Sequence, residues 1–340
     1  MKKTKIKESA WILKSDEDTY HVLFSATRVI KTYKVDSLVK GIISGLSNNS
    51  SEELDLIKSK LKDYNPNDVQ RCLEALENQG IIRTYEKEVS KRFVRQALFI
   101  DELTSSWDET IRLQNKLENS VVSVFGVGGI GTWVVNGLYQ IGIGEIRITD
   151  PDVIEESNLN RQLFFDSRDI GRYKVDVIKE KLPDAKIVSY KKVVSEKENL
   201  EEMVLGSNFL VNCADSPSME QTTKVIDEYS RRYDIPYCLT GGYNMHLGML
   251  GPIMIPNKTV SFYEFIKAQK SNDILSNMET IQGLQQTGNL GPIAGTVANM
   301  QVMEIFKYII GKGSLNINKF AEIDFMNFNI KWINFGQSQT

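Results

Sequence analysis

Apolar residues change period along this chain, and the changes mark its organisation. In residues 9–34 polar and apolar positions alternate. Residues 9–14 and 19–25 read as strands around the turn Asp16-Glu17-Asp18, with 28–34 as a third. The period then becomes helical. Residues 35–46 put Leu38, Val39, Ile42, Ile43 and Leu46 on one face. Ser50-Ser51-Glu52-Glu53 resembles a cap and first turn leading into 54–61. Asn65-Pro66-Asn67-Asp68 opens a helix over 69–78, with Cys72, Leu73 and Leu76 inward and Gly80 as its stop. Residues 81–85 return to strand. Residues 1–90 are therefore predicted to form a small winged-helix-like α+β domain, closed by the charged link 86–91.

A helix ending near Leu117 comes next, and then a regular alternation of strand and helix. Short apolar runs at 121–125, 145–149, 186–190, 209–213 and 236–240 read as buried strands. Helix patterns separate them, one with Trp133, Val134, Gly137, Leu138 and Ile141 on one face, one opened by Gly171-Arg172-Tyr173-Lys174 and running to Lys181, and one ending at Tyr233. That order predicts an α/β fold, a doubly wound Rossmann-like sheet that is mostly parallel. Residues 247–255 and 259–262 read as an antiparallel extension, 271–291 as a polar loop, 292–311 as a long helix, and 320–328 with 330–335 as a closing hairpin.

One junction carries chemistry. The run 121–125 passes directly into Gly126-Val127-Gly128-Gly129-Ile130-Gly131 and a helix, and the next strand ends in Asp150, about 20 positions past the last glycine. Gly126 allows a tight turn, Gly128 lets the backbone approach a phosphate, and Gly131 lets the helix pack on the strand. The helix N-terminus offers unpaired N–H groups and partial positive charge to an anion. Asp150 can accept hydrogen bonds from ribose hydroxyls. Together these predict a nucleotide site, whose default owner is a nicotinamide dehydrogenase. Four further residues point elsewhere. Asn158, Arg161 and Lys174 could neutralise a triphosphate, and Asp215, at the tip of the strand 209–213, could hold Mg²⁺. In-line attack at an α-phosphate uses such a set, whereas hydride transfer does not.

Composition narrows the partners. A chain of 340 residues has room for about two domains. Its net charge of −3 gives no reason to expect nucleic acid or an acidic membrane surface, and Glu52, Glu53 and Asp55 would make the second helix acidic. No apolar run approaches the ~18 residues that span a bilayer. No apolar signal core follows the basic N-terminus, so a cytoplasmic location is expected. The three cysteines, Cys72, Cys213 and Cys238, form no CxxC pair and do not suggest a disulfide framework. Cys213 and Cys238 lie in apolar strand patterns and are expected as core residues, not nucleophiles. His21 and His246 are far apart in sequence. A Ser/His/Asp hydrolase is unsupported, and His246 is expected to be an ordinary loop residue.

Five ordered motifs, GVGGIG, a strand ending ITDPD, SNLNRQ, GRYK and CADSP, resemble the adenylating family of ThiF and MoeB proteins and ubiquitin-activating enzymes over about residues 92–312. Within that family the likeness is to microcin-maturation enzymes of the MccB type, which carry a small N-terminal peptide-binding domain. The resemblance implies that residues 91–340 bind ATP and adenylate a carboxylate, giving an acyl-adenylate and pyrophosphate, with capture by a nucleophile afterwards. It implies that residues 1–90 recognise the leader of a ribosomally made precursor peptide in natural-product biosynthesis, an edge strand pairing with extended peptide. Gly126, Gly128, Gly129 and Gly131 would cradle ATP. Asp150 would bind ribose, with Asp152 in support. Asn158, Arg161 and Lys174 would bind phosphates and stabilise charge in transfer, Gln162 would shape the same loop, and Asp215 would bind Mg²⁺. Arg95, in Arg92-Phe93-Val94-Arg95-Gln96, resembles an arginine that reaches into the partner subunit's site, which implies a homodimer. The family's two CxxC pairs are missing, so no structural zinc is expected. Phe262 and Phe265 would pack where the first pair would stand. The loop 271–291 would close over the acceptor. Two alternatives stay open: activation of a sulfur-carrier protein ending in Gly-Gly, and a catalytically silent member that only docks a peptide. The presence of Arg161, Lys174 and Asp215 argues against the second.

Overall fold

The structure, a computed structural model, describes residues 2–47, 52–271 and 288–335. The cap expected at Ser50-Ser51 and most of the polar loop 271–291 lie outside these residues. The chain divides into two compact units, Met1–Asn115 and Lys116–Thr340.

In the first unit the strands are β1 (Lys3–Ile6), β2 (Ala10–Asp16), β3 (Thr19–Phe24), β4 (Val29–Lys34), β5 (Glu52–Glu53) and β6 (Ile82–Tyr85). The helices are α1 (Ser37–Leu46), α2 (Leu54–Lys60), α3 (Pro66–Asn78), α4 (Val94–Asp101) and α5 (Trp107–Glu118), the last running past the division. The strands form two antiparallel three-stranded sheets, ordered β2-β3-β4 and β5-β1-β6. The helices start where side chains satisfy their first N–H groups. The Asp36 carboxylate accepts from Val39 N at 2.9 Å, and Asn65 Oδ1 accepts from Asn67 N at 2.9 Å with Pro66 opening α3. Leu38, Ile42, Leu46, Ile57, Leu73, Leu76 and Ile82 form the core.

Several expectations for this unit change. Glu52 and Glu53 form the strand β5 against β1 and do not open the second helix. α2 therefore has one acid in its first turn, Asp55, and two lysines in its last, Lys58 and Lys60, so the acidic-helix argument against nucleic acid falls away. β1 was hidden by its basic composition: Thr4 is its buried residue, and lysines flank it. Residues 91–115 pack within this compact unit. A buried ion cluster explains why. Asp101 of α4 meets Lys7 Nζ at 3.1 Å and Arg83 Nε at 2.8 Å, and Arg83 and Asp101 are each 3% exposed. The single expected helix before Leu117 is instead α4 and α5, separated by a short loop.

The second unit holds β7 (Val121–Phe125), α6 (Gly129–Gln140), β8 (Glu145–Thr149), α7 (Lys174–Lys181), β9 (Ile187–Tyr190), α8 (Glu201–Val204), β10 (Phe209–Asn212), α9 (Met219–Tyr233), β11 (Tyr237–Asn244), β12 (Leu247–Met254), α10 (Phe262–Ser271), α11 (Gly291–Ile310), β13 (Lys319–Asp324) and β14 (Asn329–Asn334). One sheet runs β14-β13-β12-β11-β10-β7-β8-β9. β11, β10, β7, β8 and β9 are parallel, and β12, β13 and β14 add antiparallel pairings. This is the expected α/β fold. From β7 the chain moves outward to β8 and β9, then crosses to β10 and β11 on the other side. The β7/β10 junction is thus the switch point, where ligands bind outside the carboxyl ends of the strands. Register brings those ends level: Phe125 pairs with Asn212 on one side and Thr149 on the other. Val122, Val124, Phe125, Ile148, Phe209, Leu210 and Val211 are all fully buried, each contributing about 1.5–3 kcal/mol.

The expected strand at 259–262 is a helix start. Ser261 Oγ accepts from Glu264 N at 3.2 Å, and Ser261 N donates to Glu264 Oε2 at 2.8 Å. This reciprocal Ser-x-x-Glu cap starts α10 and outweighs the β preference of Thr259 and Val260. Phe262 and Phe265 lie in an aromatic cluster with Phe320 and Phe335, and the Phe265 ring centroid is 5.0 Å from that of Phe335. Apolar packing fills this position, as the sequence suggests. No helix among the described residues is long and apolar enough to cross a membrane.

Candidate functional site

The carboxyl ends of β7, β8 and β10 open on a cavity of about 660 Å³, within the range of roughly 300–1,000 Å³ usual for small-ligand sites. Its floor is the glycine turn. Gly126 has φ of +85°, and a Cβ there would meet Ala214 N at 2.7 Å, so only glycine lets the loop after β10 pass. A Cβ on Gly131 would lie 2.0 Å from Gly126 O, which fixes how closely α6 packs on the turn. Gly128 and Gly129 line the cavity, whereas Gly131, expected to help cradle the ligand, packs on the turn and is not part of the cavity wall. Gly128 is the N-cap of α6 and supplies no capping side chain, leaving the first-turn N–H groups for an anion.

Asp150 follows β8 and is 5% exposed. Its Oδ2 accepts from Val127 N at 2.7 Å, and its Oδ1 accepts from Asp152 N at 2.9 Å. The carboxylate thus stitches the glycine turn to its own loop. Burial pushes its pKa above the usual carboxylate value, against the pull of Lys174 and the two N–H donors. Lys174, the first residue of α7, is brought alongside by an isolated antiparallel bridge between Val153 and Tyr173. Its Nζ lies 2.8 Å from Asp152 Oδ2 and 3.8 Å from Asp150 Oδ1. Asp152, expected only in support, is therefore the direct ion-pair partner of Lys174.

Asn158, Arg161 and Gln162 come from the turn after β8. Asn158 Oδ1 accepts from Glu155 N at 3.2 Å, which shapes the turn. Arg161 is half-buried and lines the cavity, with Nη1 donating to Asn160 Oδ1 at 3.0 Å. Gln162 is 5% exposed, and its Oε1 has no hydrogen-bond partner. A buried, unpartnered polar atom on the cavity wall suits a polar ligand.

Asp215 occupies the loop after β10. It is exposed and has no hydrogen bond or ion pair among the described residues. Among those residues no three His, Cys, Asp or Glu side chains converge on a metal position. The loop is held from behind by Asn212, which is fully buried. Its Nδ2 donates to Thr222 Oγ1 at 3.1 Å and Thr223 Oγ1 at 2.8 Å, and its Oδ1 accepts from Ala214 N at 3.1 Å. Thr240 Oγ1 adds a bond to Asn212 O at 2.8 Å. This network escaped the sequence reading, although a polar residue closing an otherwise apolar strand is a usable signal. Lys192, half-buried on the cavity wall, was also missed.

Burial pushes the Cys213 thiol up to about 12, so it stays protonated at neutral pH, and burial likewise raises Cys238. His246 is exposed in the β11–β12 turn and is not part of the cavity wall. Arg95 belongs to the first unit and is exposed on α4. The cavity thus gathers the glycine turn, Asp150, Asp152, Asn158, Arg161, Gln162, Lys174 and Asp215.

Several known proteins are similar to this chain. The adenylyltransferase and sulfurtransferase UBA4 of Saccharomyces cerevisiae is 28% identical over 202 residues, covering 58% of this chain and 43% of that protein. The chain spans less than half the length of that relative. The SAMP-activating enzyme E1 of Haloferax volcanii is 26% identical over 65% of this chain and 78% of its own. Among solved structures, E. coli MccB with ATP superposes with a TM-score of 0.71 at 22% identity, covering 100% of this chain and 98% of MccB, a likeness of fold. The ThiF family pattern matches residues 95–340, well over half of the chain, and this protein belongs to the ThiF family.

Proposed function

We propose that this protein is an ATP-dependent adenylyltransferase that activates a carboxylate of a ribosomally made precursor peptide. One observation carries the proposal: a single cavity presents an anion-binding helix start, a buried ribose-type acid, three cations and one free carboxylate. The carboxylate oxygen attacks the α-phosphorus of ATP. The bond to the bridging oxygen breaks, and its electron pair leaves with pyrophosphate. No proton transfer is needed, because a peptide carboxylate is ionised near neutral pH. Positioning and charge neutralisation are the protein's task.

Asp150 would take the ribose hydroxyls on its remaining lone pairs, and the α6 N-terminus with Gly128 and Gly129 would face the phosphates. Asn158, Arg161 and Lys174 would carry the charge that builds up in transfer. Lys174 would trade its contact with Asp152 for a phosphate oxygen, and Gln162 would offer its unpartnered Oε1 as an acceptor to a donor group of the ligand. Asp215 would hold Mg²⁺, which binds through one or two carboxylates and substrate phosphates and would neutralise the departing pyrophosphate. A lone exposed carboxylate fits that mode.

The first unit would bind the leader segment. β4 is a sheet edge with exposed residues, and Ile12, Tyr20, Val22, Tyr33, Val39 and Leu76 help line an apolar cavity of about 290 Å³. An added peptide strand with alternate side chains in that cavity would use both. The MccB fold relative has been solved in complex with N-formylated MccA, which supports a peptide substrate. Arg95 would complete the site of a second copy in a homodimer.

Sequence likeness to UBA4 and the SAMP-activating enzyme favours a small carrier protein ending in Gly-Gly instead. ATP–pyrophosphate exchange separates the two. The peptide proposal expects exchange that requires a precursor peptide and falls at least about 100-fold in Asp215→Ala. Exchange with a Gly-Gly carrier alone would transfer the substrate to the carrier class. Peptide binding without exchange would leave a docking protein.

A further inference from the structure

Two residues at the start of α6 grip the turn that carries Arg161. Trp133 Nε1 donates to Arg161 O at 3.0 Å. Leu163 N donates to Thr132 Oγ1 at 3.2 Å, and the same hydroxyl donates to Gly128 O at 3.0 Å. Thr132 is fully buried. The carbonyl before Gln162 and the N–H after it are thus both tied to one helical turn, the turn that begins at the glycine loop.

The Trp133 ring is itself fixed from the other side. A Cβ on Gly295 of α11 would lie 3.2–3.3 Å from the indole ring atoms. A Cβ on Gly291, where α11 begins, would meet Asn160 O at 2.8 Å and Arg161 Cα at 3.4 Å. α11 therefore presses the indole and the Asn160–Arg161 backbone together, with glycine at both contacts.

We infer that Thr132 and Trp133 are positioning residues that set Arg161 and Gln162 in register with the phosphate-binding turn. The inference rests on the adenylation proposal for what Arg161 does. Anchoring the backbone on both sides of Gln162 fixes where the Cα–Cβ bonds of Arg161 and Gln162 point, so each side chain reaches toward the cavity from a set origin. Small misplacements of a charge-stabilising group cost rate more than ground-state binding.

The test is Trp133→Phe, which keeps an aromatic ring on Gly295 and removes the N–H donor, beside Thr132→Val, which removes the hydroxyl at nearly constant shape. Each is expected to lower kcat of ATP–pyrophosphate exchange about tenfold and to change KM for ATP less than about twofold. In an Arg161→Ala background neither should lower kcat further, since their effect acts through Arg161. Equal losses with and without Arg161, or no loss in either variant, would overturn the inference. Hydrogen exchange at the Leu163 amide gives a readout without turnover. It should quicken in Thr132→Val while the core of β7 stays protected, and unchanged exchange would also overturn the inference. If the unmodified protein shows no pyrophosphate exchange with any acceptor, the adenylation proposal fails and the amide measurement still decides the positioning role.

Discussion

Asp150 and Asp215 stand at the tips of strands in the same sheet and face the same cavity, yet their surroundings are opposite. Asp150 is buried, both of its oxygens hold backbone N–H groups, and a lysine stands beside it. Asp215 is exposed, and no side chain or N–H among the described residues satisfies it. The first acid is part of the fold, and nucleotide recognition would use what remains of its acceptor capacity. The second contributes little to the fold and is open to a cation. An acid's position at a strand end is thus a poor guide to its chemistry, because the groups already claiming its oxygens decide what it can still do.

Paired substitutions break or keep that contrast most sharply. Asp150→Ala should leave Val127 N–H and Asp152 N–H without an acceptor, lower the unfolding free energy by about 2 kcal/mol and abolish nucleotide binding. Asp215→Ala should leave stability within about 0.5 kcal/mol and spare nucleotide binding measured without magnesium. Denaturant titration with calorimetry checks both, and equal destabilisation would end the contrast.

A smaller effect probes how the exposed acid is held. Asn212→Ala should free the loop after β10, lowering pyrophosphate exchange about tenfold and stability by about 2 kcal/mol, because two threonine hydroxyls and Ala214 N lose their partner. Full activity in this variant would show that Asp215 needs no support from behind.

The smallest effect concerns Cys213, which lines the same cavity. With the thiol pushed up to about 12, roughly one molecule in 10⁵ carries a thiolate at pH 7. Cys213→Ala should retain exchange within about threefold, and iodoacetamide at pH 8 should leave activity intact. Rapid inactivation by alkylation would make the thiol a participant.

Much of this molecule is legible along the chain because it is local. The switch from period two to helical period, the glycine turn, the acid after the second strand and the Ser/Asp/Asn caps each depend on neighbours within a few residues. Those features sufficed for the α/β sheet and for ten of the residues that line the cavity, Gly126 to Asp215. Where local signals competed, the reading failed. Ser261 and Glu264 carry a cap that a β-branched Thr259-Val260 masked, and Glu52-Glu53 carries a helix-start composition but pairs with β1, some 50 residues earlier.

What tertiary structure alone decided is the environment of each charged group. Sheet order places β10 beside β7 rather than beside its sequence neighbour β9, so the Asp215 loop closes over Gly126 and the Asn212 network stands behind it. The 153–173 bridge gives Lys174 to Asp152, and α11 brings glycines against Trp133 and Arg161. Burial, charge pairing and backbone anchoring depend on residues that are distant in sequence and adjacent only after folding. The kinds of side chain at this site can therefore be read from the sequence, whereas which of them are free to act is set by the fold.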